Sequence, residues 1–234
     1  MKIIAINGSP RKGWNSFKLL EKWKEGVLSV LPDAEIKEIN LYDLQFTGCR
    51  SCFACKMKGG KFFGTCPIPD GIHDLLAAIR EADAVALAVP IYFGDINAYV
   101  KCLIERMIYS VMTYGNPPRI LQEKPVDFTM LYSMNATEQY VKEHNYLSRC
   151  HETESTIGWA YHCKVRNVIA YDTYQFADYS KYEAEMFSEP HKRKQHDEQF
   201  PKDLQSAFDT GAQVARSIQG EPAKENPQVP VVHF

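Results

Sequence analysis

Met1-Lys2-Ile3-Ile4-Ala5-Ile6-Asn7-Gly8-Ser9-Pro10-Arg11-Lys12-Gly13-Trp14-Asn15-Ser16 opens the chain, and its reading decides the fold. Lys2 to Asn7 is a short β-branched, apolar run closed by a glycine, the pattern of a buried strand. Apolar residues then recur at helical spacing (Phe17, Leu20, Trp23, Val27, Leu28, Leu31) until Pro32 stops them, with Asn15 or Ser16 able to cap the helix. A loop between a strand and a helix start gathers free amides and the positive end of the helix dipole, which favours an anion. The hydroxyls of Ser9 and Ser16, the Asn15 amide and the Arg11 guanidinium add donors suited to a phosphate monoester. The spacing Gly8-x4-Gly13 imitates a P-loop, but Trp14 and Asn15 stand where Lys and Ser/Thr are required, and G-x-G-x-x-G is absent. The plain alternative is a turn capped by serine or asparagine.

Outward from this unit the same alternation repeats. Ala34 to Leu41 alternates as a second strand, and Asp70 to Arg80 carries a helical face. Ala82 to Val89 is a nearly unbroken apolar run ending at Pro90, as expected of a strand buried on both faces. Asn97 to Met112 reads as a helix, and Val126 to Tyr132 and Val165 to Tyr171 as two more strands. A less regular helix spans Thr137 to Cys150, and Pro201 to Ile218 forms a last amphipathic one. Strands alternating with helices predict a doubly wound parallel sheet, with ligands at the carboxyl ends of its strands. The expected organisation is one domain over residues 1–218, with a cysteine-rich loop at 48–69, a charged, tyrosine-rich excursion at 172–201 and a tail at 219–234.

The 27 Lys plus Arg against 29 Asp plus Glu leave a formal charge of −2. That gives no footprint for nucleic acid or an anionic membrane. No signal peptide or run of roughly 20 apolar residues is evident, so a soluble cytoplasmic protein is expected. No H-E-x-x-H pair or G-x-S-x-G elbow appears, which removes the common metalloprotease and serine-hydrolase readings.

Two further stretches carry chemistry. Pro90-Ile91-Tyr92-Phe93-Gly94 follows the most buried strand: the proline stiffens the turn, the aromatics offer a surface to a flat ring, and the glycine admits close backbone approach. Four of the seven cysteines crowd together as Cys49-x2-Cys52-x2-Cys55-x10-Cys66. Thiolates so spaced can wrap an iron–sulfur cluster, bind zinc, or form a redox disulfide. Cys102, Cys150 and Cys163 are scattered and read as buried, inert thiols.

Asn7 to Ser16 resembles the amino-terminal signature of the NADPH-dependent FMN reductase and iron–sulfur flavoprotein families. Pro90 to Gly94 and the segment Asn97 to Arg106 are similar to the loop and helix that follow in those families. The resemblance is strong over roughly the first 110 residues. It implies a flavodoxin-like three-layer sandwich with a five-stranded parallel sheet in the order 2-1-3-4-5. It also implies FMN held by Ser9, Arg11, Asn15 and Ser16 at the phosphate and by Pro90, Ile91, Tyr92, Phe93 and Gly94 at the ring. A third contact loop is expected around Ser133 and Asn135. The cysteine pattern resembles the compact motif that holds a [4Fe–4S] cluster, though the gap before Cys66 is longer. Implied partners are NAD(P)H or a ferredoxin-like donor, a quinone, flavin or other small acceptor, and further copies of the chain as a homodimer or homotetramer. A non-enzymatic electron carrier and a regulatory module without flavin are the other function classes, and no protein acid or base is nominated because the cofactor would do the chemistry.

Overall fold

A computed structural model describes residues 1–220 of the chain; the rest of the tail, 221–234, lies outside the described residues. The strands are β1 (Lys2–Asn7), β2 (Glu35–Asn40), β3 (Ala84–Tyr92), β4 (Asp95–Ile96), β5 (Asp127–Ser133) and β6 (Arg166–Ala170). The helices are α1 (Asn15–Val30), α2 (His73–Glu81), α3 (Ala98–Val111), α4 (Glu138–Glu143), α5 (Tyr146–Tyr161), α6 (Glu189–Glu198) and α7 (Phe200–Ile218). Five strands pair in parallel in the order β2-β1-β3-β5-β6. Counted along the chain, these are strands 2-1-3-4-5, the flavodoxin-like order.

β4 is an addition. The expected loop at residues 90–94 is a hairpin in which Ile91 pairs with Ile96 and Tyr92 with Asp95 across the turn Phe93-Gly94. Both turn residues have positive φ, 53° and 77°, the backbone of a type I′ turn that matches the twist of a two-residue hairpin. Pro90 does not end the strand as its composition suggests. β3 continues through it to Tyr92, because Pro90 lies near the strand's end, where few ladder bonds remain to lose.

The expected helix at 137–150 is two. Asn145 sits in the left-handed region (φ 52°) and breaks the run, and α5 then continues well past Cys150 to Tyr161. The helix expected from Asp70 begins at His73, since Asp70 first turns the chain by accepting from the Ile72 and His73 amides.

The sheet is apolar on both sides, as an interior parallel sheet must be. Ile4, Ile6, Val85, Leu87 and Val89 point toward α2, α3 and α5, whereas Ile3, Ala5, Ala84, Ala86 and Ala88 point toward α1 and α7. The alternation of β3, valine and leucine on one side and alanine on the other, therefore sets how closely each helical layer approaches.

Candidate flavin site

The carboxyl ends of β1, β3 and β5 place three loops side by side, and one asparagine ties the first two. Asn97, fully buried, donates from Nδ2 to the Gly8 carbonyl (3.1 Å) and the Pro90 carbonyl (3.4 Å), while its Oδ1 caps α3 at Val100. Gly8 itself donates to the Ala88 carbonyl at 2.8 Å. A Cβ on Gly8 would lie 2.3 Å from the Val100 side chain and 2.8 Å from that carbonyl, so only glycine fits. Asn97 was legible in the sequence only as the start of a helical stretch, and its bridging role depends on the register of β1 against β3.

Of the residues expected at the phosphate, Ser9, Asn15 and Ser16 are buried and Arg11 is exposed. Neither Asn15 nor Ser16 caps α1. Trp14 takes the cap position in extended conformation without a side-chain bond, so the first-turn amides are offered by a helix end that the chain does not cap itself. The side chains are turned elsewhere. Ser9 Oγ accepts from the Arg11 amide (3.2 Å), and Ser16 Oγ meets Ser133 Oγ at 2.7 Å, which joins the first loop to the third. Arg11 Nη1 donates to the Gln175 carbonyl (2.6 Å), and Asn15 Nδ2 to the Tyr174 carbonyl (2.7 Å). The excursion after β6 is thus bound to the loop after β1, and its inner part is buried at Asp172, Thr173, Tyr179 and Lys192 rather than solvated throughout.

At the second loop Pro90 and Ile91 are buried, Tyr92 is exposed, and Phe93 is fully exposed at the hairpin tip. Gly94 packs under Tyr146 of α5: a Cβ there would be 2.8 Å from that ring. On the third loop Ser133 is buried, and Asn135 Oδ1 is a buried oxygen without a partner. An unpaired acceptor is costly in isolation. It is the kind of group that a ligand N–H satisfies, as an isoalloxazine imide would.

The cysteine loop lies on the other side of α3, which grips both of its ends. Arg106, 1% exposed, donates to the Thr47 carbonyl (3.2 Å) and pairs with Asp70 (2.5 Å). Glu105 accepts from the Cys49 amide at 3.2 Å, and Lys56 Nζ donates to the Tyr109 and Met112 carbonyls. Cys49, Cys52 and Cys55 are close enough to feel one another's charge; burial raises the Cys55 thiol while the neighbouring Lys56 draws it down. Cys66 instead borders the Arg106 guanidinium. Cys49 lines a cavity of about 580 Å³ between α3 and α5, whereas Cys66 lines another of about 550 Å³ against α2. All four are free thiols, and among the described residues no three His, Cys, Asp or Glu side chains gather in a way that could hold a metal ion.

Comparison with known proteins bears on the family and the fold. An iron–sulfur flavoprotein from Archaeoglobus fulgidus is 41% identical over 106 residues, 45% of this chain and 48% of that protein. One from Methanosarcina thermophila is 30% identical over 110 residues, 46% of this chain and 53% of that one. The chain spans about half the length of these curated relatives. Among solved structures, an NAD(P)H:quinone oxidoreductase from Methanothermobacter marburgensis superposes with a TM-score of 0.64 at 16% identity, over 91% of this chain and 98% of that one. An FMN-dependent NADH-azoreductase from Bacillus anthracis, solved in complex with FMN, gives 0.60 at 12%, over 93% and 99%. At such identities these two share the fold. The family model for NADPH-dependent FMN reductase matches residues 1–145, and the chain belongs to that family.

Proposed function

We propose that the chain binds FMN across the loops that follow β1, β3 and β5 and acts as a cytoplasmic FMN-dependent oxidoreductase. Its donor in this reading is NAD(P)H or a ferredoxin-like protein, and its acceptor a quinone, a flavin or another small molecule. The observation that carries the reading is the uncapped amino terminus of α1, set beside buried Ser9, Asn15 and Ser16 at the carboxyl edge of the sheet. When bound, FMN supplies hydride and electron transfer. The chain's residues bind and orient it. The α1 amides, Ser9, Ser16 and Asn15 hold the phosphate, with Arg11 released from Gln175 to add charge. Pro90 to Gly94 flank the ring, and Ser133 and Asn135 meet its polar edge. Phe93 and Tyr92 leave an exposed aromatic face where a flat donor or acceptor can stack. The same exposed apolar surface suits a homodimer or homotetramer contact. Among the described residues no helix is long and apolar enough to cross a membrane.

A [4Fe–4S] cluster on Cys49, Cys52, Cys55 and Cys66 is suggested by the cysteine spacing and by the relatives' names. The placement of the thiols does not fit it, because Cys66 stands at Arg106 and opens on a different cavity from Cys49. Iron and acid-labile sulfide in anaerobically purified protein would require Cys66 to leave Arg106; their lack there would leave the four as thiols.

The deciding experiment is a titration of apoprotein with FMN, followed by stopped-flow mixing with NADPH. Saturable binding and bleaching of the flavin support an oxidoreductase. Binding without bleaching by either NADPH or NADH favours an electron carrier, and no binding at all ends the flavin reading.

A further inference from the structure

The family match ends at residue 145, yet the two flavin loops nearest the phosphate are stitched together by residues beyond it. After β6 the chain turns at Asp172, held at φ 52°, and its amide donates to the Ala136 carbonyl (2.9 Å). The Thr173 amide and hydroxyl both donate to the Met134 carbonyl, at 3.0 and 3.1 Å. Tyr174 and Gln175 then give their carbonyls to Asn15 and Arg11. Residues 172–175 are therefore a strap from the third loop to the first.

α6 locks that strap from behind. Lys192, 3% exposed, pairs with the equally buried Asp172 carboxylate and donates to the Asn135 carbonyl at 2.7 Å. The other Asp172 oxygen accepts from His191 Nε2 at 2.7 Å if that nitrogen carries the proton. The ammonium thus holds the backbone of the residue whose side-chain Oδ1 is buried and unpartnered. Burial draws the Lys192 amine below its ordinary value and the Asp172 contact opposes that. A buried ammonium is costly unless paired, which makes this one a poor candidate for incidental surface charge.

We infer that Lys192 is a positioning residue of the flavin site, its ammonium fixing the Asn135 loop against the ring and balancing the Asp172 carboxylate behind it. The inference rests on the reading that residues 133–135 meet FMN. It assigns to α6, the most charged helix of the excursion, a part in cofactor affinity and potential.

The test compares the full chain with Lys192→Met and Lys192→Arg, titrating each apoprotein with FMN and with riboflavin, which lacks the phosphate. Lys192→Met should weaken both ligands by about tenfold, the loss of one charge-assisted hydrogen bond on the loop. Its bound FMN should be harder to reduce by about 30 mV, a tenfold bias of a two-electron couple. Lys192→Arg should recover most of both effects. If Lys192→Met fails to melt cooperatively, the Asp172→Asn/Lys192→Met pair, which leaves neither charge buried alone, takes its place. Unchanged affinity and potential in a folded variant would overturn the inference while leaving the flavin reading intact. A parent chain that binds neither flavin would sink the two together.

Discussion

The two faces of the sheet are built on different principles. Against α1 and α7 the sheet presents alanines, and the helices meet through reciprocal glycines: a Cβ on Gly26 would lie 1.9 Å from the Phe208 carbonyl oxygen, and one on Gly211 2.0 Å from that of Trp23. Trp23 fills the remaining space and donates to Thr129 at 3.2 Å. Against α2, α3 and α5 the sheet presents larger aliphatics and aromatics, and this side carries the two cavities, the cysteine loop and a buried carboxylate, Glu154. The close-packed face begins at the loop after β1 and holds α1 at a fixed height above the sheet. The looser face accommodates the cavities and the cysteine loop without disturbing that grip.

The most severe way to break this comparison is to thicken the tight face. Gly211→Ala pushes a methyl into backbone that cannot yield, and should cost about 3 kcal/mol or more in urea unfolding. An addition on the other face, Ser110→Val at a buried position beside the 550 Å³ cavity, should cost about 1 kcal/mol or less. Equal costs would show that the two layers are packed alike.

A second experiment uses the looser face's buried acid. Burial raises the Glu154 carboxyl to about 7 despite its bonds from Asn167, 3.1 Å to each oxygen. Because the folded state then holds the proton more tightly than the unfolded one, stability falls as pH rises from about 4.5 to 7. Glu154→Gln should remove that slope. The variant should gain of order 2 kcal/mol at pH 8 and nothing at pH 4. A parallel pair of pH–stability curves would refute the assignment.

The mildest probe is thiol alkylation followed by mass spectrometry. Cys52 is exposed, while burial pushes Cys150 and Cys163 up to about 12. Cys52 should react first at pH 8. Cys150 and Cys163 should react last, their rates rising about tenfold per pH unit because only the thiolate attacks. Early labelling of Cys150, on the buried face of α5, would mean that the looser face opens.

Much of this was legible in the letters. The parallel sheet followed from the alternation of apolar runs with helical spacing, its strand order from the family resemblance, and the first loop stood out as an anion candidate from its place between Asn7 and the helix carrying Leu20 and Trp23. The hairpin at Phe93-Gly94 was missed because no local propensity favours phenylalanine at positive φ; the pairing of Ile91 with Ile96 imposes it. The helix break at Asn145 was hidden because asparagine is tolerated in helices and in left-handed turns alike. The glycines at 26 and 211 carry no local signal of their role, which is to let each helix approach the other's backbone.

By itself the sequence determined the five strands of the parallel sheet and that four thiols share one stretch, and it nominated the first loop for an anion, since these rest on residue types and spacings along the chain. Only the tertiary structure decided that Arg11 and Asn15 meet the strap at Tyr174 and Gln175, that Cys66 parts from its neighbours to meet Arg106, and that Lys192 reaches Asn135. Those outcomes join residues far apart in the chain, and they are fixed by burial and pairing of charge, which no local pattern records.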